Sequence, residues 1–593
     1  MIKMPWFICA LLFSTTIHAT PAQTYLNKFM TYTHWCQHLP TYPDPNFLAF
    51  IDKPSPLTRK LREKWLYQLA YNKDWAAFSR FYRGSDDSTL QCYAQTAAYN
   101  QGHHEEALAR AKKLWLSGGS LPKSCDTLFA TMLKNNELNN TLIQKRIALA
   151  LEANNLSLAR YLLKQYKPAR IQDAELLTGI YQHPARVGLL KPGPFQGEFY
   201  LYGLKRMVQN DMDGAVDLMT VAHTHHIMND AQEQQFLAHL SLFKAMRDQP
   251  DTARWFAKVK PAFYNETLLE WEMRFALTHH QWRKVVYLIS KSNSRREPNN
   301  QYWMARALEA LGEKETANVL YKQLAAKRNY YGFLASLKLK QKPSFENEYT
   351  PNNPGTLLPY KPITDQIKAL YLSHQTVDAS RLLNDFVSEL PKHEKSALAY
   401  WVANHLHWHG KSIYLSSNDA LNNQLSLRFP LPYQDSVREY AKNYQIRPAF
   451  IYAVIRQESS FQEGISSPAG ANGLMQLMPA TARHIAKQAK IPYASQKQLF
   501  TSQKNIHIGT AYLQTLSKQF RQHPILMAAA YNAGPRQVNY WLKNHTPTEM
   551  DIWIETLPWR ETRNYLKNIL AFYTVYQYRM NEKPSLDAFM RPF

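Results

Sequence analysis

Glu458 is the residue of this sequence whose type and position best suit acid–base chemistry. Ile451, Val454 and Ile455 lie seven, four and three residues before it, so on a helix they share one face with it. A carboxylate at the end of such an apolar stripe is costly unless it is paired or used. Burial disfavours the ionised form, so we expect a carboxyl poised to donate a proton. The structural alternative is a glutamate paired with Arg456 or capping a neighbouring turn.

The region that follows is unusually poor in acidic residues. Between Glu463 and Glu549 lie 85 residues that include nine Lys or Arg and no Asp or Glu. Most glycosidases place two carboxylates across the scissile bond, one as acid and the other as nucleophile or base. One carboxylate suffices when the substrate supplies its own nucleophile, as an N-acetyl group on a sugar can. The gap therefore favours chemistry with a single acid.

Several short blocks around Glu458 resemble the soluble lytic transglycosylases, large periplasmic enzymes with a ring-shaped helical superstructure and a goose-lysozyme-like catalytic domain. The three signature-like blocks are Glu458-Ser459, Gly473-Leu474-Met475-Gln476 and Ala530-Tyr531-Asn532-Ala533-Gly534. Further matches are Ser467-Pro468, Met478-Pro479, Asn505-Ile506, Ile508-Gly509-Thr510 and Glu561-Thr562-Arg563. Order and approximate spacing agree with the family over about 150 residues, whereas the N-terminal 400 residues match only in their helical-pair style.

The resemblance implies a specific reaction on peptidoglycan. Glu458 would protonate the oxygen between N-acetylmuramic acid and N-acetylglucosamine, and the muramic N-acetyl oxygen would stabilise the cation at C1. The ionised Glu458 would then remove the C6 hydroxyl proton, and closure of a 1,6-anhydro ring would follow. No water, metal or cofactor is needed, which agrees with the acidic gap.

The resemblance also suggests roles for residues around the acid. Ser467 and Gln476 would hydrogen-bond the substrate or the acid, and Met478 would line the sugar site. Tyr531 would bring its hydroxyl near Glu458, and Asn532 would stiffen the loop or bind sugar. Each has a plainer alternative: Met478 as core, Gln476 as a loop tie, and Asn532 as part of a helix cap. The aromatic residues near the end receive no individual site role, because aromatics at such spacing usually form core; they are Trp541, Trp553, Trp559 and Tyr565.

The elements that must carry this site are predicted to be helices. From about residue 57 to 425 a helical apolar stripe, a short polar turn and a second helix recur without a strict period. The second helices begin near Ala107, Ala159, Ala215, Ala253 and Ala317. Small residues let paired helices approach closely, and stacked pairs bury a continuous core. We therefore predict an all-α fold with a degenerate helical-pair superhelix, to which the family resemblance adds a ring shape.

Pro-rich stretches at Lys342 to Pro362 and Phe429 to Pro432 suggest the domain boundaries. The predicted domains are a signal peptide at 1–22, an α-superhelical domain at 23–345, a small helical linker domain at 363–425 and a lysozyme-like catalytic domain at 430–593. Predicted helices of the last domain are Ser436–Tyr444, Pro448–Glu458, Asn505–Phe520 and Pro524–Tyr531, with Pro479 in the first turn of another.

The first residues predict export. Lys3 precedes an apolar run from Trp6 to Phe13, and small residues follow to Ala19 and Ala22, which is the layout of a cleavable secretory signal. The run is shorter than the ~20 residues that span a bilayer, and no later stretch qualifies. The sequence thus predicts a soluble periplasmic product without a transmembrane segment.

Three cysteines follow the signal. An exported protein can form disulfides, but three thiols cannot all pair within one chain. Cys92 and Cys125, each in or beside a helical segment of the same region, are the favoured pair, and Cys36 would then be free.

The net charge of +24 requires a polyanionic partner. The basic residues are spread along the chain, and such a diffuse field does not read bases, which argues against nucleic acid. With the family resemblance, the expected partner is peptidoglycan, whose stem peptides carry carboxylates. Two alternatives remain: a hydrolytic muramidase, with Glu463 or a residue from Glu549 onward as second carboxylate, and a non-catalytic wall-binding scaffold.

Overall fold

The computed structural model describes residues 21–350, 353–418, 420–544 and 548–593. Across these ranges the secondary structure is helical, and the only β pairing is two isolated bridges, Ser466 with Asn472 and Asn472 with Leu477. The predicted all-α class is confirmed. The signal peptide predicted at 1–22 lies outside the described residues except for its last two. Among the described helices none is long and apolar enough to cross a membrane.

The N-terminal half of the chain folds into a succession of short helices. The first are α1 (Pro21–Gln37), α2 (Pro45–Ile51), α3 (Pro56–Tyr71) and α4 (Trp75–Phe81). Next come α5 (Ser88–Asn100), α6 (His104–Trp115), α7 (Asp126–Lys134), α8 (Asn140–Glu152), α9 (Leu156–Gln165), α10 (Ile171–Gln182), α11 (Gln196–Met207), α12 (Met212–Thr224), α13 (Asp230–Met246), α14 (Thr252–Phe256), α15 (Glu266–Thr278), α16 (Trp282–Lys291), α17 (Pro298–Ala310), α18 (Lys314–Ala325) and α19 (Tyr330–Lys338).

The remaining helices continue to the C-terminus. They are α20 (Lys361–Leu372), α21 (Thr376–Glu389), α22 (Lys392–Asn404), α23 (His409–Leu415), α24 (Leu425–Arg428), α25 (Gln434–Tyr444), α26 (Pro448–Glu458), α27 (Pro479–Gln488), α28 (Ser502–Gln519), α29 (Pro524–Ala533), α30 (Pro535–Asn544), α31 (Met550–Thr556), α32 (Arg560–Arg579) and α33 (Asp587–Met590). Short 3₁₀ turns lie at Lys123–Cys125, Pro184–Leu189, Pro261–Phe263, Pro354–Tyr360 and Gln496–Phe500.

The described chain forms two compact units. The first combines the residues before Gly84 with Thr350–His407, so α1–α4 belong with α20–α22. Within this unit Lys28 of α1 pairs with Asp385 of α21 at 2.7 Å, and Tyr25 donates to Glu389 at 2.5 Å. Most of the segment predicted as a separate linker, 363–425, therefore packs with the N-terminal helices.

The second unit, Gly84–Tyr349 with Trp408–Phe593, contains the helix pairs and the C-terminal helices. Ala107, Ala159, Ala215 and Ala317 are buried where the second helices of pairs begin, as expected for close helix approach. Ala253 is exposed, and Thr252 beside it is buried instead. The turn of this pair shifts the inward position by one residue, which sequence spacing alone did not reveal.

A disulfide joins Cys92 of α5 to Cys125, the last residue of the 3₁₀ turn before α7. These two cysteines are the pair that the sequence favours. Cys36 in α1 has a free thiol. The bond ties α5 to the start of the next helix pair within the second unit.

The last helix pairs and the C-terminal helices share one hydrophobic core, which is built from α15–α19 and α23–α33. Glu555 of α31 is buried there and ties four helices together. It pairs with Lys567 of α32 at 2.8 Å and Arg274 of α15 at 3.3 Å, and Tyr331 of α19 donates to it at 2.9 Å. The C-terminal helices are thus fixed to the end of the helical-pair stack by buried charges as well as by apolar packing.

Candidate active site

Glu458 is the last residue of α26, the helix predicted at the same bounds. Pro448 starts the helix, where its missing N–H costs no hydrogen bond. Ile451, Val454 and Ile455 are completely buried, so the apolar stripe faces the core and carries Glu458 to its edge, where it is half-buried. The predicted stripe therefore places the carboxyl at the boundary between the core and solvent.

Arg456, the partner considered for a purely structural glutamate, points elsewhere. Its guanidinium donates to the carbonyl oxygen of Arg428 at 3.1 Å and to the hydroxyl of Ser460 at 2.8 Å. The hydrogen bond to Glu458 comes from Tyr565 of α32, whose hydroxyl donates to Oε1 at 2.8 Å. Glu458 therefore has a neutral donor as its partner and no ion pair with Arg456.

The environment shifts the titration of the Glu458 carboxyl to near neutral pH. Burial is the largest effect and raises its pKa from 4.5 to about 7, the nearby charge of Glu561 adds to the rise, and the Tyr565 hydrogen bond opposes it. A carboxyl with this pKa is close to half-protonated at pH 7, which is the condition for giving and then taking a proton. Tyr565 stabilises the anion that remains after the proton has left.

Tyr531 lies close to Glu458 but makes a different hydrogen bond. Its hydroxyl donates to the carbonyl oxygen of Met475 at 2.8 Å, and its ring packs against Tyr512 with centroids 5.2 Å apart. Burial raises its pKa well above the ordinary value, and the charge of Glu458 adds to the rise. Tyr531 thus connects α29 to the loop after α26, while Tyr565 makes the contact with the acid that the resemblance suggested for Tyr531.

The loop after α26 is held by buried polar side chains. Asn505 of α28 accepts from the Met475 N–H at 2.8 Å and donates to the carbonyl oxygens of Asn472 at 3.0 Å and Leu499 at 2.7 Å. Gly473 has a φ of +74°, and a Cβ there would overlap the Leu499 carbonyl and the Asn505 amide. Only glycine fits this position, because both the backbone angle and the space exclude a side chain.

Gln476, Ser467 and Met478 lie in or beside this loop. Gln476 donates its side-chain amide to the carbonyl oxygens of Gly473 at 2.9 Å and Ile465 at 3.2 Å. The Ser467 hydroxyl accepts from the Ala471 N–H at 3.0 Å. Gln476 and Ser467 therefore both shape the loop, whereas Met478, directly before α27, leaves 43% of its surface exposed as an apolar contact surface.

Asn532 links α29 to α32. Its side-chain oxygen Oδ1 accepts from the Thr562 hydroxyl at 2.7 Å, and its side-chain amide Nδ2 donates to Glu561 Oε1 at 3.3 Å. These contacts bring the block around Tyr531 and the block at Glu561-Thr562-Arg563 together beside Glu458. Blocks that are separated by about 100 residues in the sequence therefore form one site.

The sequence did not reveal two residues that act on Glu458. Tyr565 donates a hydrogen bond to its carboxylate, and the charge of Glu561 raises its pKa. The aromatic spacing predicts Tyr565 as core, and the residue is buried, but its hydroxyl reaches the acid. The available signal was its spacing: Tyr565 lies four residues after Glu561, one helical turn along α32. Glu463, the nearer acidic residue in sequence, is not the charge that acts on Glu458.

The C-terminal tryptophans pack partly on one another. The ring of Trp541 lies 5.4 Å from that of Trp559 and 6.5 Å from that of Trp553, both in edge arrangements. Trp541 and Trp553 are buried, and Trp559 leaves 47% of its surface exposed. Two of the three therefore form core, as expected, and one presents a face to solvent.

Comparison with known proteins agrees with this arrangement. Residues 435–554 match the family model "Transglycosylase SLT domain", and residues 556–584 match "Soluble lytic transglycosylase helical domain". A cucumovirus coat protein model also matches residues 105–173, but these residues form stacked helix pairs within the helical-pair region of the second unit.

Relatives align over most of the chain. It is 29% identical to the soluble lytic murein transglycosylase of Escherichia coli K12 over 543 residues, which cover 90% of this chain and 84% of the relative. A solved structure of the lytic transglycosylase Slt from Pseudomonas aeruginosa, an inactive mutant, superposes with a TM-score of 0.85 at 28% identity, covering 96% of this chain and 94% of that one. The 70 kDa soluble lytic transglycosylase of Escherichia coli gives a TM-score of 0.77 at 27% identity, with the same coverage.

A helical-pair superhelix and a C-terminal lysozyme-like domain with a half-buried acid at the edge of its core define the class as lytic transglycosylases with a superhelical domain. Both family models match C-terminal residues, and the nearly full-length structural match extends the agreement to the helical pairs. The chain is a lytic transglycosylase that resembles the soluble lytic murein transglycosylases over nearly its full length.

Proposed function

We propose that this enzyme cuts the glycan strands of peptidoglycan between N-acetylmuramic acid and N-acetylglucosamine without water. Glu458 gives its proton to the glycosidic oxygen, the bond to C1 breaks, and the N-acetyl oxygen of the muramic sugar stabilises C1. The carboxylate of Glu458 then takes the proton of the C6 hydroxyl while that oxygen bonds to C1. The products are a free 4-hydroxyl end and a 1,6-anhydro end.

The observation that supports this proposal best is the environment of Glu458. A pKa of about 7 lets one carboxyl act first as acid and then as base. The Tyr565 hydroxyl, 2.8 Å from Oε1, stabilises the carboxylate between the two steps. We assign substrate contacts to five residues near the acid: Ser467, Gln476, Met478, Tyr531 and Asn532. The polar side chains would use the hydrogen-bonding capacity that their internal bonds leave free, and Met478 would use its exposed surface.

Product analysis on purified sacculi tests the reaction. An anhydro end is lighter than a reducing end by one water, so mass spectrometry distinguishes the proposed reaction from hydrolysis. Glu458→Gln keeps the shape of the side chain and removes the proton, and we expect it to lower turnover by at least about 10³-fold. Glu463→Gln is the matched control, because it removes a nearby carboxyl that the proposal does not use, and it should retain turnover. Unchanged turnover in Glu458→Gln would favour another acid, whereas a wild type without turnover would favour the scaffold alternative.

The hydrolytic alternative has one structural observation in its favour, the second carboxylate near Glu458. Glu561 influences the pKa of Glu458 and accepts from Asn532. If Glu561 activated water, Glu561→Gln would abolish turnover and the wild-type enzyme would release reducing ends. In the proposed reaction Glu561 only tunes the acid, so the variant should keep anhydro products and lose about tenfold or less.

We further propose that the enzyme works in the periplasm, guided to the wall by its charge. The net charge of +24 would attract the anionic stem peptides over distances of about one Debye length, roughly 10 Å at 0.1 M salt. Sacculus binding by the Glu458→Gln variant should therefore weaken steeply as salt is raised. Binding that does not respond to salt would exclude this electrostatic step.

A further inference from the structure

A second cleft lies on another side of α32 from Glu458. It has a volume of about 860 Å³ and is bounded by α15, the start of α17, α19, the end of α24 and α32, all within the second compact unit. Arg560, Asn564 and Lys567 of α32 line it. On a helix these residues lie about a third of a turn or more round from Tyr565, which contacts Glu458. The cleft and the acid therefore use different faces of one helix.

The cleft has an excess of positive charge. Six cationic side chains line it, against two carboxylates, Glu270 and Glu555; the cations are Arg274, Arg328, Arg428, Arg560, Arg563 and Lys567. Both carboxylates are already engaged within the protein. Glu270 pairs with Arg274 at 3.1 Å, and Glu555 pairs with Lys567 and Arg274. None of the other four cations forms an ion pair with either carboxylate of the cleft.

Some of these four cations donate hydrogen bonds to neutral oxygens of the protein. Such bonds do not cancel the positive charge. Arg328 donates to the carbonyl oxygens of Phe345 and Asn422, both at 2.6 Å. Arg563 donates to the Pro558 carbonyl at 3.2 Å, and the buried Nε of Arg428 has no acceptor among the described residues. A concave, partly desolvated site with this imbalance attracts anions.

The pKa directions agree with this imbalance. Burial lowers the pKa of Arg428 to about 10, and the neighbouring charges of Arg328 and Arg456 act in the same direction. Burial also lowers the pKa of Arg563 to about 10, and Arg274 adds to the effect, whereas the charges of Glu555 and Glu270 oppose it. These cations therefore repel one another, and a bound anion would relieve that repulsion.

The neighbouring cavity indicates a ligand larger than an inorganic ion. A pocket of about 480 Å³ shares Met246, Trp271, Arg274 and Pro558 with the cleft, so the two are contiguous. Its walls include Trp559, whose exposed face offers apolar contact. A ligand held by its charge in the cleft can therefore extend an uncharged portion over aromatic surface.

We propose that this cleft is a second binding site, separate from Glu458, that holds the carboxylate groups of a peptide such as a peptidoglycan stem peptide. The chemistry of recognition, carboxylate to guanidinium, follows from the cations of the cleft. Only the origin of the peptide rests on the proposed function. A strand anchored here by its peptide would be held on the same helix that carries Tyr565.

The rim of the cleft offers variants that remove no internal bond of the folded chain. Asn564 and Asn568 are exposed on α32 and line the cleft, so the double variant Asn564→Asp/Asn568→Asp adds two negative charges to it. Arg560→Gln removes one exposed cation from the same rim. Exposed residues that line neither cavity give the matched controls Asn539→Asp in α30 and Arg160→Gln in α9.

Calorimetric titration of the full chain with a synthetic stem tetrapeptide is the test. The peptide contains no glycosidic bond, so the heat reports binding and not turnover. We expect the Kd to rise at least about tenfold in the double Asp variant and about threefold in Arg560→Gln, with no change in either control. The same peptide with amidated carboxylates should not bind. Circular dichroism of each variant checks that the helices are intact.

Three results would overturn the inference. These are an unchanged Kd in both cleft variants, equal binding of the amidated peptide, and inorganic phosphate binding as tightly as the peptide. The first outcome would place the peptide at another surface, and the last would show a general anion site. Anhydro products without peptide binding would refute only this inference, whereas peptide binding without anhydro products would refute only the proposed reaction.

Discussion

The raised pKa of Glu458 predicts that this residue lowers the stability of the fold at neutral and alkaline pH. The folded chain holds its proton up to about pH 7, whereas the ordinary pKa is 4.5. Between these values the unfolded chain has released a proton that the folded chain keeps. Stability therefore falls as the pH rises through this window and stays at the lower level above it. Below pH 4.5 the penalty is absent.

The size of the effect follows from the same two values. A pKa difference from 4.5 to about 7 corresponds to about 3 kcal/mol at about 1.36 kcal/mol per pH unit. Glu458 keeps some contact with solvent, so we expect about 2 kcal/mol. Glu458→Gln has no proton to release. It should therefore be about 2 kcal/mol more stable than the wild type at pH 8, and close to the wild type at pH 4.

Urea unfolding of both proteins across pH 4 to 8 measures this difference. The informative quantity is the difference in unfolding free energy between the two proteins at each pH, because the other titratable groups contribute equally to both proteins. Glu463→Gln serves as the control, and its curve should run parallel to that of the wild type. If the gap between Glu458→Gln and wild type were the same at pH 4 and pH 8, the carboxyl would not be desolvated and the acid–base argument would lose its basis.

Three further predictions concern the groups that hold the site. Tyr565→Phe removes the donor that stabilises the Glu458 anion, so the descending limb of the pH–rate profile should move upward by about one pH unit while the maximal rate falls about tenfold; an unmoved limb would contradict the contact. Gly473→Ala should cost at least about 2 kcal/mol in urea unfolding, because the left-handed backbone and the Leu499 carbonyl both oppose a Cβ. Glu555→Gln should cost about 3–5 kcal/mol at pH 7, because it leaves the buried Arg274 and the partly buried Lys567 without their anion. Although burial alone would raise the pKa of Glu555, the charges of Lys567 and Arg274 lower it to about 2, so the stability it provides should be present above pH 4.5 and disappear as the pH falls toward 2.

Local patterns in the sequence were sufficient to predict that the chain is helical and that Glu458 is the candidate acid. The stripe of Ile451, Val454 and Ile455 predicted both α26 and the partial burial of Glu458, because one face of a helix is set by spacing alone. Pro448 and Pro479 fixed where α26 and α27 begin, because a proline has no N–H to lose in the first turn. The all-α class followed from the same periodicity.

Tertiary structure alone decided which residues surround the acid and which segments pack together. Tyr565 reaches Glu458 across 107 residues of sequence, and no local pattern distinguishes a buried tyrosine that forms core from one whose hydroxyl meets a carboxylate. The grouping of α20–α22 with α1–α4 likewise depends on contacts between distant segments. The cationic cleft is a further case, because its arginines come from four separate stretches of a chain whose basic residues look evenly spread. Periodicity reports which face of an element is buried, but the identity of its neighbour is fixed only when the elements pack.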